Sequence, residues 1–508
     1  METTFRASMN WLHTWAGIVF GSVLFTVFWM GTLSVFDREI DRWMMPQTRL
    51  PHVEAKSMDA VADALRSLVS GASQWFVFLP TPREPMLRLV YRTKAGGAIA
   101  RNIDPETLRI LPEEGSWGGT RFIYPFHYSL HLKSWSLGIW LVGAAGVAML
   151  VLCVSGVVVH RKLFTDFFTV RRHSKQRRLL LDLHNVAGVL GLPFHCAITL
   201  SGLIIFFMLY FPTAWQAAYG GNVAAFASEG FGIFAQPRAG EPAASMPIDA
   251  MMREASQRWG GAAPSFVRVW HPGDRNSYVE VRQTNLDGVP QRLDVAYFDA
   301  VTGVLLSESE TKPVMAVQRF IAGLHFIQFH HWILRWIYFG LGLTGCLLIA
   351  TGFLFWLETR RRKHVELGFR GVTIVEGFTV GSVTGIVIAT LSFFVANRML
   401  PPGVDFLGHD RAALEIWSFY LVWLMSFVHA WLRPGRAWVE QCSIIAALAV
   451  VAVLLNWITT GDHLFRALGQ RHLWPIAGMD LMLLTSAAIA GVSAGRLRTN
   501  AGRAGAMR

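Results

Sequence analysis

The chain has 508 residues, of which 53% are hydrophobic and 16% charged, with 20 tryptophans and a formal net charge of +12. That is the composition of a membrane protein rather than of a soluble or disordered chain. The basic residues cluster just outside apolar runs, a topology signal that argues against nucleic acid as a partner. The four cysteines, Cys153, Cys196, Cys346 and Cys442, all lie inside apolar runs, and no CxxC or CxxCH is present. This leaves no case for a disulfide framework, a zinc knuckle or covalently attached c-type haem.

Arg6 precedes a long apolar run with no small-residue cleavage site before Asp37, so the run reads as a retained first span, not a removed signal peptide. Eight spans are expected near 12–36, 136–159, 184–210, 333–357, 374–396, 414–432, 439–458 and 474–494, each about the 20 residues a bilayer requires. Residues 160–178, 360–370 and the tail are rich in Arg and Lys and fall on one side. The bias predicts that this side, with both termini, is cytoplasmic, as in a multi-pass protein of a bacterial inner membrane.

Two long loops then lie on the outer side. In the first, Met58–Val69 reads as helix and Trp75–Leu79, Leu87–Arg92 and Ala98–Ile103 as strands, ending in the turn Asp104-Pro105-Glu106-Thr107. In the second, Ile248–Trp259 reads as helix and Phe266–His271, Ser277–Gln283 and Leu293–Phe298 as strands, ending in Asp299-Ala300-Val301-Thr302. The shared order and the D-x-x-T turn mark a duplication. The fold class is thus an α-helical polytopic membrane protein of about eight transmembrane helices with two small periplasmic α+β modules, and with span, module and span repeated once. The divisions are 1–36 (span one), 37–133 (module one), 134–210 (spans two and three with a basic loop), 211–331 (module two), 332–370 (span four and a basic loop) and 371–508 (four spans and a tail).

The repeat is sharpest at two histidines. Leu12-His13-Thr14-Trp15-Ala16-Gly17 and Leu183-His184-Asn185-Val186-Ala187-Gly188 are near copies, and Gly31 and Gly202 keep the register. Arg121-Phe122-Ile123 precedes His127 as Arg319-Phe320-Ile321 precedes His325, and both following spans end in a small-Gly pair, Ser155-Gly156 and Thr351-Gly352. An ionisable residue repeated at matching depth in a bilayer is costly and invites a functional reading.

His13, His127, His131, His160, His184, His195 and His325 all lie in or at the ends of the first four spans, without a carboxylate cluster or a cysteine pair beside them. Neutral imidazole ligates iron, copper and zinc, and histidine without carboxylate suits a bis-histidine haem better than a hydrolytic metal site. His195 lies eleven residues beyond His184, about 16–17 Å along one helix face, so that helix offers histidines at two depths. A single histidine at a helix end is more often an interfacial or hydrogen-bonded residue; that plain reading weighs most on His173, His330, His331 and His364, and for His160, next to Arg161 and Lys162, it balances the ligand reading. Arg121, Lys133, Arg319 and Arg335 are candidates for contacting haem propionates or substrate, with interfacial snorkelling as their plainer role.

Phe126-His127-Tyr128-Ser129-Leu130-His131-Leu132, Ser155-Gly156 with His160-Arg161-Lys162-Leu163-Phe164 and Asp166-Phe167-Phe168, Asp182-Leu183-His184-Asn185 through Leu192-Pro193-Phe194-His195, Ser201-Gly202, and Leu334–Phe339 through Thr351-Gly352 together resemble the signatures of the PepSY-associated transmembrane helix family. The outer loops resemble degenerate PepSY modules. Members include haem-containing inner-membrane reductases of iron–siderophore complexes. The resemblance implies b-type haem, a periplasmic ferric siderophore or other ferric chelate as partner, a role in iron acquisition, and electrons crossing the membrane from a cytoplasmic or quinol donor. It carries over His13, His127, His131, His184, His195 and His325 as axial-ligand candidates, with His160 weaker.

The resulting expectation is a transmembrane oxidoreductase with two haems b. His13 and His184, equivalent by the repeat, hold one haem, while His325 with His127 or His131 holds the other, and His195 can replace one of these. The alternatives are an iron or siderophore transporter built on the pseudo-symmetric repeat, and a sensor or scaffold with structural histidines.

Overall fold

A computed structural model of the chain describes every residue except 1–3, 55, 94–95, 161–169, 172–174, 284–287, 291–293, 310, 368–370 and 507–508. The motif residues from Arg161 to Phe168, the loop residues Arg172, His173 and Arg370, and the side chain of His364 lie outside the described residues. Among those described, eight helices are long and apolar enough to cross a membrane. They are Phe5–Ser34, Ser134–Val159, Gln176–Ile205, Trp332–Arg361, Gly371–Met399, Arg411–Leu432, Ala437–Thr460 and Arg471–Thr499, called spans one to eight below. The third begins eight residues before the expected 184, because the basic approach to it is itself helical. Arg178 pairs with Asp182 one turn on at 3.1 Å, and Arg171 reaches the same carboxylate at 3.1 Å. A hydropathy pattern ends where charge begins, but a helix continues when an i,i+4 ion pair supports it.

The chain divides into two units. The first comprises residues 1–46, 114–200 and 332–508. Its core joins Met30 of span one, Trp43, Phe122 and Phe126 to Ile386, Phe393, Phe419, Ala449 and Ile476 of the last four spans. Span five is the most enclosed of the eight, 72% of its apolar window being buried, and its middle loosens into a π-helical turn at Gly381–Gly385. Charged groups inside this unit are paired rather than bare, as their desolvation requires. Arg335 meets Glu39 at 3.0 Å. Glu415 accepts from Asn397 Nδ2 at 2.8 Å and from Ser116 Oγ at 2.7 Å, and Arg411 Nε lies 3.2 Å from it. Trp43 Nε1 donates to Asp480 at 2.8 Å.

The second unit comprises residues 47–113 and 201–331. Its strands are β1 (Gln74–Phe78), β2 (Leu87–Arg92), β3 (Ala98–Ile103), β4 (Pro264–Trp270), β5 (Tyr278–Gln283), β6 (Val295–Asp299) and β7 (Leu305–Ser309). They form one antiparallel sheet in the order β3-β2-β1-β4-β5-β6-β7. The sequence expectation of two small modules is therefore revised. The β1 edge of one module pairs with the β4 edge of the other, from Gln74 opposite Trp270 to Phe78 opposite Phe266. Each three- or four-stranded module alone would leave that edge open for aggregation.

One face of the sheet is packed by two helices, α1 (Met58–Leu65) and α2 (Ile248–Arg258), over Trp75, Val77, Leu89, Val267, Val269 and Val281. The helices cap each other across the pseudo-symmetric junction. Asp249 accepts from the amides of Met58 and Asp59, and Asp59 from those of Ile248 and Asp249. This is N-capping exchanged between repeats, each carboxylate satisfying the other helix's unpaired amides. The D-x-x-T turns also match atom for atom. Asp104 Oδ1 accepts from the amides of Glu106 and Thr107, and Asp299 Oδ1 from those of Val301 and Thr302.

Asp274 organises the loop between β4 and β5. Burial by itself would raise its pKa, but the amides of Asn276, Ala239 and Gly240 and the Arg238 guanidinium reverse this and hold the carboxyl far below the ordinary range. A depressed folded-state pKa contributes stability above the unfolded value of about 3.9, which is lost as pH falls through the folded value. Asp274→Asn should therefore flatten the acid limb of this unit's unfolding curve. The check is tryptophan fluorescence of the full chain between neutral and strongly acidic pH, in parallel with the parent protein.

Candidate functional site

His13 on span one and His184 on span three come together, with ring centroids 6.3 Å apart and planes at 82°. Their tautomers follow from their partners. Ser155 Oγ donates its proton to Val151 O at 2.7 Å, so it accepts from His13 Nδ1 at 3.0 Å. His184 Nδ1 lies 2.9 Å from Leu348 O, and a carbonyl only accepts. Thr351 Oγ1, likewise occupied with Leu347 O, stands 3.5 Å from the same nitrogen. Both neutral rings thus carry their proton on Nδ1 and a lone pair on Nε2. Neither Nε2 hydrogen-bonds to a described residue.

The small-Gly pairs explain how the rings fit. A Cβ on Gly156 would stand 3.2 Å from His13 Cε1, and one on Gly352 would stand 3.1 Å from His184 Cε1. Each ring lies over the bare backbone of the neighbouring helix, with Nδ1 held by Ser155, the residue before Gly156, at His13 and by the carbonyl of Leu348, one turn before Gly352, at His184. In the sequence those two glycines stand out only as members of the repeated small-Gly pairs that close spans two and four. The hydroxyls and carbonyls beside them, which orient the imidazoles, went unread because every helix has such groups.

The same arrangement recurs at other histidines. His127 Nδ1 donates to Val27 O at 2.8 Å, and a Cβ on Gly31 would come within 2.7 Å of its ring. In the second unit, His325 Nδ1 lies 3.1 Å from Ser201 Oγ, and a Cβ on Gly202 would be 2.9 Å from His325 Cε1. His131 differs. Its Nε2 donates to Phe122 O at 2.9 Å, and its ring stacks on Phe122 at 4.9 Å, so its lone pair is on Nδ1. Burial lowers the pKa of both His127 and His131, only partly offset by their backbone bonds, so both are neutral near pH 7, the form that ligates metals.

His195 is fully buried against Phe28 and Phe194, with Nδ1 lacking a partner among the described residues and Nε2 3.4 Å from Thr344 Oγ1. Thr344 and Thr351 are two turns apart on span four, so His195 and His184 address one face of that helix at two depths. His160 ends span two with a buried Nε2 that also lacks a partner among the described residues.

The four basic candidates are differently placed. Arg335 is fully buried. It pairs with Glu39, donates to Val35 O at 2.5 Å, and lies over the Phe36 and Trp332 rings at 4.9 and 4.8 Å, so it does not snorkel. Arg319 is buried between Thr311 and Asp294. Lys133 is exposed, 5.9 Å over Trp117, and Arg121 is exposed at the start of the His127 segment.

A bound group can be tested against this donor set. Two imidazoles bound through Nε2 at about 2.0–2.1 Å on opposite sides of one metal ion keep their centroids about 6 Å apart. The 6.3 Å between His13 and His184 meets that spacing, and the orienting bonds on Nδ1 are those that metal-bound histidines usually keep. The residues present therefore fit a metal-containing group that His13 and His184 would hold through Nε2. The pair is a two-donor arrangement, since no cluster of three or more His, Cys, Asp or Glu side chains is placed to hold a metal ion among the described residues.

The fold and site define a multi-pass helical membrane protein with paired, oriented histidines between its first and third spans. The chain belongs to the PepSY-associated TM region family, which matches residues 10–359. It is also similar to an uncharacterized protein of Pseudomonas aeruginosa, 27% identical over 379 residues that cover 69% of this chain and 88% of that protein. Spans five to eight lie beyond the family match.

Gly31→Ala would drive a methyl group into the His127 ring. Such overpacking costs about 1–3 kcal/mol, so this variant should melt measurably lower in detergent, whereas Gly340→Ala, with open space at its Cβ, should not.

Proposed function

We propose that the protein is a haem-b electron-transfer protein of a bacterial inner membrane that reduces a ferric chelate, such as a ferric siderophore, on the periplasmic side. The observation that carries this reading is the His13–His184 pair, with 6.3 Å between rings and both Nδ1 atoms occupied. Haem bound by the pair supplies one-electron redox chemistry at its iron.

The chain's own residues then do the rest. Ser155 and Leu348 O fix the tautomers and aim both Nε2 lone pairs, and Gly156 and Gly352 give the rings their room. For a second cofactor, the outer candidates no longer rank equally. His127 has the Nδ1-bound, glycine-backed arrangement of the first pair, whereas His131 spends Nε2 on Phe122 O. His131 therefore acts through packing on the Phe122 and Phe126 segment that leads to His127. His195, buried with its Nδ1 lacking a partner among the described residues, is a further donor at the deeper level. The substrate side is simple chemistry: ferric iron is hard and held tightly by oxygen chelators, and the ferrous ion is held less tightly and released.

Purified protein expressed with haem available should be red, with sharp Soret and α-band differences between reduced and oxidised forms. A colourless preparation would sink the reading in favour of the transporter or scaffold. His13→Ala and His184→Ala should each alter that spectrum, and an unchanged spectrum in both would refute the pair. His127→Ala should alter it more than His131→Ala, and the reverse order would overturn the ranking of the outer ligands.

A further inference from the structure

The face of the seven-stranded sheet turned away from α1 and α2 has a distinct chemistry. Cross-strand partners share a face, so the register places its side chains in rows. One row runs Arg88, Phe78, Phe266, Arg282 across β2, β1, β4 and β5. The next runs Val90, Phe76, Arg268, Glu280, and a third Arg92, Gln74, Trp270, Tyr278. The opposite face of the same strands is almost wholly aliphatic and buried.

The aromatic rings here are organised by cations. The Arg268 guanidinium lies 4.7, 5.0 and 5.1 Å from the Phe76, Phe266 and Trp270 rings, and that of Arg282 lies 5.5 Å from Phe266. Charge on this face is unbalanced. Glu280, fully buried, is the carboxylate among these rows, and it already receives Arg268, Arg282 and Trp270 Nε1. Arg88 and Arg92 pair with no described residue. Phe234 covers the β5 and β6 side by packing on Tyr278 and Tyr297, and on the β2, β1 and β4 side Phe266 and Gln74 are buried while Arg88 is half-buried. Phe78 is 43% exposed there and Arg92 is exposed.

We propose that the accessible part of this sheet face is a binding platform for an anionic, aromatic small molecule, held by Arg88, Arg92 and Arg282 around the exposed ring of Phe78. Four guanidinium groups against one carboxylate select for negative charge, and the planar forks of arginine pair with aryl oxygen anions and stack on their rings. Strands are about 4.8 Å apart and rise about 3.3 Å per residue, so Arg88, Arg92 and Arg282 frame an area about 14 by 13 Å, the scale of one chelate. That the occupant is the ferric chelate rests on the reading above; that the face binds an anionic ring-bearing ligand does not.

The test is calorimetric titration of the full chain in detergent with gallium(III) tris-catecholate, which is anionic, aromatic and redox-inert, and with an uncharged, ring-free gallium(III) tris-hydroxamate. The catecholate should bind, and the hydroxamate should bind at least about tenfold more weakly. Arg88→Gln with Arg92→Gln should weaken the catecholate about tenfold or more, the loss of charged hydrogen bonds, with an unchanged melting curve. Phe78→Ala should weaken it further. Equal affinity in parent and double variant, equal affinity for the two complexes, or no catecholate binding overturns the proposal. So does a double variant that loses only adsorption to phosphatidylglycerol vesicles, which would make the face a lipid contact. Because gallium is not reduced, a colourless protein that binds the catecholate keeps this site and sinks the reductase, and a red protein that does not bind it does the reverse.

Discussion

An imidazole buried among apolar helices must satisfy one nitrogen without giving up the other, and the site depends on how that is solved. At His13, His184 and His127 the Nδ1 proton goes to a hydroxyl or carbonyl on a neighbouring helix, and a glycine on that same helix leaves room for the ring. The hydrogen bond removes the cost of an orphaned donor. It also fixes which nitrogen keeps a lone pair, so one interaction supplies both stability and chemistry. His131 solves the same problem with Nε2, and its role changes accordingly.

The buried charges of the helical unit give spans five to eight a structural role around this site. Arg411 reaches Glu114 O, Glu415 holds Ser116, and Arg398 donates to the carbonyls of Trp43 and Met44. The bonds to Glu114 and Ser116 grip the chain just before the His127 segment, and Phe393, Phe419 and Tyr420 pack around Phe122. Removing one partner of such a network leaves a buried charge uncompensated, which costs far more than a surface pair. The last four spans therefore brace the histidine-bearing segment, although they contain none of the paired histidines themselves.

In the sheet unit the duplication is visible in equivalent atoms. The D-x-x-T turns, the exchanged caps of Asp59 and Asp249, and the β1–β4 junction make one body from two copies. Pairing the two central edges also gives the sheet its two unlike faces: one aliphatic under the helices, the other cationic and aromatic.

The sequence by itself determined the number and approximate places of the spans, the repeat and six of the seven strands of the large sheet, missing β7, because apolar periodicity and repeated motifs are local and survive in one dimension. It also placed His184 and His195 on one helical face, which is plain helix geometry. It could not decide that β1 pairs with β4, that Arg335 is sunk against Glu39 rather than at an interface, or which nitrogen of each histidine is occupied. Those depend mostly on groups a hundred or more residues apart, and on backbone carbonyls that every residue possesses. Only the packing of helices selected Leu348 O for His184, Val27 O for His127 and Phe122 O for His131, and with them the direction in which each lone pair points.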